Sequence, residues 1–471
     1  MGSFLKELRK DAAIYFVFFT AGGVLNLVNQ LEGTFVRTLV ACDTPVVPDS
    51  LFSGSALCGD RLHVINQGQK LSSNAQGQES FCKFIALVCV AVMADVAGRK
   101  PALVMGLSCL LLSVLLFILA CVSPTIWAHR LFTVGQALQG AYPGELLGAI
   151  VSTDLGQESG ADLAAIGGVC QICDALVASS VSVLALRLNS LELTDFRPIW
   201  IVVAAINITL VVAASKCCRE TKPHYEGAND ELGFREGVSR EVREYATLLR
   251  GDHLLRMNLL MFLFFITSQA SSQVAFSFQT SYHGVSQTKA SVMFFMQAPV
   301  GILCIGLVPI IYAKVGEKRC FSGVMCTMLL LDMVLIPLYL ASEWSLPLHK
   351  YTMALFSGMG ALVFAIDSRW FDKRVTSKFL SMKSLVIHGS GIFINPLYGK
   401  LFDAKATSYV ARMLPFIVSF FFKVAQIYCI FFVVWDMGTK GGLAKVLDGI
   451  EAERLEKAAQ DSQTAPEKKS K

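Results

Sequence analysis

Charge is what this chain has least of. Asp, Glu, Lys and Arg make up 16% of its 471 residues, where a soluble domain carries about 25%. Hydrophobic residues reach 54% and the mean hydropathy is +0.54, which excludes an ordinary soluble globular protein. The net charge of +5 carries no nucleic-acid signal. Enzyme and pump signatures are missing too. None of the seven histidines opens an H-x4-D or an H-E-x-x-H, and no G-x4-G-K-[ST] occurs, so metalloprotease, acyltransferase and ATP-driven chemistry lose their usual anchors. No cofactor or metal site is implied. No cleavable leader is expected, because the apolar run from Ala12 is far longer than a signal-peptide core.

Cysteine is not scarce, but its placement excludes a redox framework. Most of the fourteen, such as Cys89, Cys109, Cys121, Cys304 and Cys429, sit inside apolar runs, where the thiol behaves as a small hydrophobe. Cys42 and Cys58 alone share a polar stretch on the side opposite the basic loops, and a disulfide between them is compatible with that placement.

What is present is a series of apolar runs of roughly 20 residues, the length that crosses a bilayer as a helix. About twelve are read. Six lie at 12–37, 76–94, 102–122, 125–150, 162–186 and 198–215, and six at 254–279, 287–312, 320–341, 350–368, 379–399 and 413–436. About 28 lysines and arginines fall in the connections on one side and about nine on the other, so the positive-inside rule puts both termini in the cytoplasm. The expected organisation is a cytoplasmic N-terminus (1–11), a six-helix bundle (12–215) with an external loop at 40–75, a cytoplasmic linker (216–252), a second six-helix bundle (253–437) and a cytoplasmic tail (438–471). The fold class is all-α and polytopic, with the bilayer as its partner and a monomer as the expected unit. The plasma membrane is the expected location, with the vacuole or another endomembrane as the alternative.

Between the second and third runs stands Ala91-Val92-Met93-Ala94-Asp95-Val96-Ala97-Gly98-Arg99-Lys100. Its D-x-x-G-R-K is too short for anything but a tight reversal between antiparallel helices. Lys314-Val315-Gly316-Glu317-Lys318-Arg319 follows the eighth run as a weaker copy, the repetition expected of two structural repeats. The first stretch resembles the loop signature of the major facilitator superfamily of secondary transporters. Gln136-Ala137-Leu138-Gln139-Gly140, Asp154-Leu155-Gly156-Gln157-Glu158 and Arg219-Glu220-Thr221-Lys222-Pro223 resemble further stretches of that family, over roughly residues 12–436. Val96, Ala91 and Gln136 depart from it, the last replacing an arginine. Looser features are similar to a fungal, metabolite-associated branch: the Cys-bearing loop, Arg197-Pro198-Ile199-Trp200 and Asn395-Pro396-Leu397-Tyr398-Gly399. The resemblance implies alternating access with a small organic solute near the bilayer midplane. For this branch it implies export of a secondary metabolite or toxin, or uptake of a solute.

Several side chains are candidates for that work. Asp95, Gly98, Arg99 and Lys100 are expected to gate, Asp95 by receiving backbone N–H groups of a helix terminus or by pairing across the two halves; a topology-setting basic turn is the alternative. Ionisable groups inside a span are expensive and usually functional, so Glu145 and Asp174 are candidates for carrying coupling protons, with a packing role as the alternative. Asn26, Asn29 and Gln30 in the first span and Gln269 and Gln273 in the seventh form polar stripes at helical spacing. Those stripes face an interior, because lipid leaves amides unsatisfied. With Gln171, Gln297 and His388 they are the candidate cavity lining, interhelical bonding being the other reading. Asp332 and Lys423 fall in the ninth and twelfth spans, which that fold uses as peripheral supports. An amide-rich lining disfavours polyanionic substrates. A solute sensor that does not transport remains the competing class.

Overall fold

The computed structural model describes residues 12–41, 61–142, 196–221, 234–251, 253–286, 317–354 and 373–436, with isolated positions at 144–184 and 289–315. The described chain is helical throughout. We number its long helices α1 (Ala12–Ala41), α2 (Arg61–Val96), α3 (Arg99–Ala120), α4 (Thr125–Gln139), α5 (Arg197–Cys217), α6 (Phe234–Gly251), α7 (His253–Gln269), α8 (Ser272–Tyr282), α9 (Glu317–Leu335), α10 (Ser345–Ala354), α11 (Lys373–Leu401) and α12 (Tyr409–Asp436). Among the described residues, six stretches are long and apolar enough to cross a membrane: Ala12–Val40, Leu62–Ala94, Arg99–Ala120, Arg197–Cys217, Leu255–Tyr282 and Tyr409–Cys429. The protein is an integral, multi-pass membrane protein.

Hydropathy misplaced one boundary. The loop expected at 40–75 is helix from Arg61 onward, and α2 runs 36 residues. Its first half carries Gln69, Ser72, Ser73 and Gln76, which dilute the apolar signal. Ser73 and Gln69 are nonetheless buried, because this part of α2 is enclosed by other helices rather than by lipid. A second refinement concerns the seventh span, which is α7 and α8 interrupted at Ala270 and Ser271.

Each half is held by an aromatic knot. In the first, Phe35 of α1 meets Trp200 of α5 at 5.2 Å between ring centroids and Phe196 at 5.4 Å, while Phe117 of α3 lies 5.7 Å from Phe132 of α4. Offset and edge-on contacts of this kind add about 0.5–1.5 kcal/mol each beyond the area they bury. In the second, Phe416 of α12 stands edge-on to Phe278 of α8 at 5.1 Å and to Tyr339 at 4.9 Å. The two halves meet chiefly where α2 lies along α11.

The second half also contains a buried ionic cluster. Lys423 of α12 pairs with Asp332 of α9, whose other oxygen lies 2.6 Å from His349 Nε2 of α10. The Tyr339 hydroxyl is paired with His349 Nδ1. The Asp332 carboxylate offsets the Lys423 ammonium and its other oxygen meets the imidazole, which is how such a pair tolerates the absence of water. Lys423→Met leaves the Asp332 carboxylate buried without its cation and is expected to cost about 3–5 kcal/mol. Adding Asp332→Leu should recover most of it. Thermal unfolding of the two variants in detergent checks this; a Lys423→Met protein as stable as the parent would contradict it.

Candidate functional site

The turn between α2 and α3 closes through backbone bonds from Ala97 N to Met93 O at 2.7 Å and Gly98 N to the same oxygen at 3.3 Å. Gly98 then adopts φ 110°, a region in which a side chain is strained. Space is a second reason for glycine there: a Cβ at Gly98 would run into the Glu220 carboxylate. That carboxylate caps α3, accepting Arg99 N–H at 2.8 Å on Oε1 and Lys100 N–H at 3.1 Å on Oε2. A negative charge on the first turn satisfies orphan donors and complements the helix dipole. Two separate family-like stretches, Gly98-Arg99-Lys100 and Arg219-Glu220-Thr221, thus meet physically. The carboxylate on this helix end is Glu220, from the same half; the Asp95 side chain lies outside the described residues, as does the Gly316 turn.

The second feature is the seam between the halves. Along it α2 shows one face to α8 and α11. Gln69 accepts a hydrogen bond from the Ser277 hydroxyl at 2.7 Å and donates to Ser73 at 3.1 Å. Arg37 of α1 reaches Ser277 at 3.2 Å and Thr280 at 3.4 Å, with its guanidinium 5.2 Å from the Phe276 ring centre. Further along, Gln273 donates to Asn395 at 2.8 Å, and Asn395 donates to Ser80 at 3.3 Å. Asn66 donates to Asp403 at 3.1 Å. Gly77 brings the two backbones together, since a Cβ there would sit 2.8 Å from Pro396. This seam is made of hydroxyls, amides, one guanidinium and the Asp403 carboxylate.

The opposite face of α2 turns to its own half. Glu32 of α1 is 4% exposed and accepts from Ser72 at 2.5 Å and from Gln76 at 3.3 and 3.1 Å. One turn on, Glu79 accepts from Gln136 of α4 at 2.7 Å. The position where the resemblance expects an arginine therefore carries an amide that contacts a carboxylate.

Of the expected lining residues, Asn26, Asn29 and Gln30 share an exposed face of α1, and Gly22 and Gly33 beside them have open space in front of their Cα atoms. Gln269 and His388 are half-buried. Gln273 is in the seam rather than on a free surface. Gln171, Gln297, Glu145, Asp174, Cys42 and Cys58 lie outside the described residues. Arg37, Gln69 and Ser277 were not singled out from sequence, and Asn395 stood out only within a family-like stretch; the available signal was the polar period of α2 at positions 69, 73 and 80.

No sequence-family model and no curated protein matches this chain. Solved structures do. A D-xylose–proton symporter aligns with TM-score 0.64 at 13% identity, over 91% of this chain and 98% of its own. The human organic anion transporter MFSD10 (TETRAN) gives 0.61 at 14% identity, over 90% and 99%. The nucleoside transporter NupG gives 0.59 at 12%, over 92% and 99%. The chain has the major facilitator fold.

Gly98→Ala is expected to destabilise the protein by about 1–2 kcal/mol, and Glu220→Ala by about 0.5–2 kcal/mol through loss of the cap. Combined, they should cost less than their sum, since both act at one contact. Thermal unfolding of the three variants tests this, and strict additivity would argue against the shared contact.

Proposed function

We propose that this protein is a major facilitator superfamily transporter that moves a small organic solute across the membrane by alternating access. The observation that carries the reading is the seam. Two halves joined mainly by hydroxyl and amide hydrogen bonds have contacts that solvent can replace as they part, at a net cost of about 1 kcal/mol per bond. An apolar seam would have to expose its whole area to water. The amide-bearing face of α1 supplies groups that both donate and accept, suited to a solute with hydroxyl or carbonyl groups. The structurally similar transporters are named for a pentose, nucleosides and organic anions, and these form the first panel of candidate solutes.

In this reading the Gly98 turn faces the cytoplasm, as do both termini, and the Arg37 end of the seam faces outward. Glu220 and the α3 terminus hold the cytoplasmic turn while Arg37, Gln69 and Ser277 lock the outer end. Transport is proton-coupled, with Glu145 and Asp174 as candidate carriers and Asn26, Asn29, Gln30 and Gln269 contacting solute. The expected location is the plasma membrane, and export of a secondary metabolite in a fungal-type branch is the favoured direction, uptake the alternative.

Reconstituted counterflow with the panel tests the reading. Exchange of at least one labelled solute is expected, and binding without exchange would instead make the protein a sensor. Arg37→Gln removes the guanidinium from Ser277 and Thr280. It is expected to shift the balance of states by about 1–3 kcal/mol away from the closed outer end, read as faster thiol labelling of a cysteine placed at the neighbouring Ser281 when the variant is added. An unchanged labelling rate would exclude the lock.

A further inference from the structure

We propose that residues 443–457, which lie outside the described residues, dock on the exposed face of α6, so that the chain's own tail covers its linker helix. One side of α6 is spent on the bundle. Tyr245 and Leu248 are buried, and a Cβ at Gly237 would stand 2.8 Å from Val92 of α2. The Arg256 guanidinium donates to the carbonyls of Leu249 at 3.0 Å and Arg250 at 2.9 Å, which fixes the end of α6 to the start of α7. The other side is open. Arg235, Ser239, Val242, Arg243 and Arg250 recur at helical spacing and are all exposed, with Leu249 beside them. Arg240 pairs with Glu244 on the same helix at 4.0 Å. Among the described side chains, three exposed arginines against the exposed Glu236 leave this face with an excess of positive charge.

The fold delivers the tail to this face. α12 runs antiparallel to α7, with Phe422 at 6.2 Å from Phe264 between ring centroids and Ser271 donating to Ser419 at 3.1 Å. At about 1.5 Å per residue, the chain rises about 16 Å from His253 to Phe264 and about 21 Å from Phe422 to Asp436. α12 therefore ends level with the corner where α6 meets α7. Residues 437–471 follow. The stretch Met437-Gly438-Thr439-Lys440-Gly441-Gly442 reaches about 20 Å when extended, and its glycines let it turn back.

The chemistry of the next residues complements α6. Leu443, Val446, Leu447 and Ile450 stand at i, i+3, i+4 and i+7, an apolar stripe. Asp448, Glu451, Glu453 and Glu456 accompany them, with Arg454 the one basic residue between 446 and 456. The stripe can cover Val242 and Leu249 while the carboxylates meet the arginines. An anionic lipid surface would also suit arginine, yet a helix lying in a bilayer interface buries a broad apolar face. The open side of α6 offers only Val242 and Leu249 as large exposed apolar groups among its described residues. Seated there, the tail links α12 of one half to α6, and through the Gly237–Val92 contact to α2 of the other.

Hydrogen–deuterium exchange of the full chain in phosphatidylcholine nanodiscs tests the contact. Amides of 443–457 are expected to exchange about tenfold more slowly than those of 460–471, and Arg243→Glu with Arg250→Glu should remove that difference. Adding Glu451→Arg and Glu453→Arg to that variant should restore most of it, a rescue that a misfolded α6 would not show. In the parent, raising NaCl from ~0.05 to ~1 M should lessen the protection. Unprotected amides at 443–457 in the parent overturn the proposal, as does protection that neither the arginine reversals nor salt changes. Protection that appears only when phosphatidylglycerol is added assigns the arginine face to lipid and overturns it too. Solute does not enter the readout, so absent counterflow would refute transport and leave this contact standing.

Discussion

Polar groups inside a bilayer must find partners within the protein, and α2 is where that constraint concentrates. A helix that carried Gln69, Ser72, Ser73, Gln76 and Ser80 toward lipid would leave each side chain unsatisfied, at several kcal/mol apiece. The chain resolves this by enclosing α2 on both sides. One polar stripe is met by Glu32 and Gln136 of the same half, the other by Ser277, Gln273 and Asn395 of the opposite half. Gly77 then permits the backbone contact that keeps the second stripe within hydrogen-bonding reach of its partners.

This double duty organises the rest. The aromatic knot of Phe35, Phe117, Phe132, Phe196 and Trp200 keeps the first half rigid, and that of Phe278, Tyr339 and Phe416 does the same for the second. The Asp332–Lys423–His349 cluster adds a buried ionic clasp among α9, α10 and α12. Rigid bodies joined by a polar seam can move as units. The tight capped turn at Gly98 ties α2 to α3 and α5 within its half, so displacement of α2 carries that half with it.

Much of the fold was legible in the sequence. The long apolar runs, their grouping in two halves and the reversal at Gly98-Arg99-Lys100 follow from bilayer thickness and turn length alone. The start of α2, residues 61–75, was not legible, because hydropathy treats Gln69, Ser72 and Ser73 as solvent-seeking whatever encloses them. The same blindness hid the seam: residues 69, 277 and 395 are distant in sequence, and nothing local announces their meeting. The capping of α3 by Glu220 also spans 121 residues between partners, though both stretches carried a resemblance. For the solute-facing amides, sequence period gave Asn26, Asn29 and Gln30 on one face of α1, yet it could not tell that Gln273 is spent on Asn395.

The central claim is that two rigid halves rock about the α2–α11 seam. Double electron–electron resonance distances between spin labels on the two halves, one pair at the Thr280 end and one at the Gly98 end, test it directly. Addition of a transported solute is predicted to shift the two distance distributions in opposite senses, one end closing as the other opens. Distributions that stay fixed at both ends, or widen together, would contradict the account.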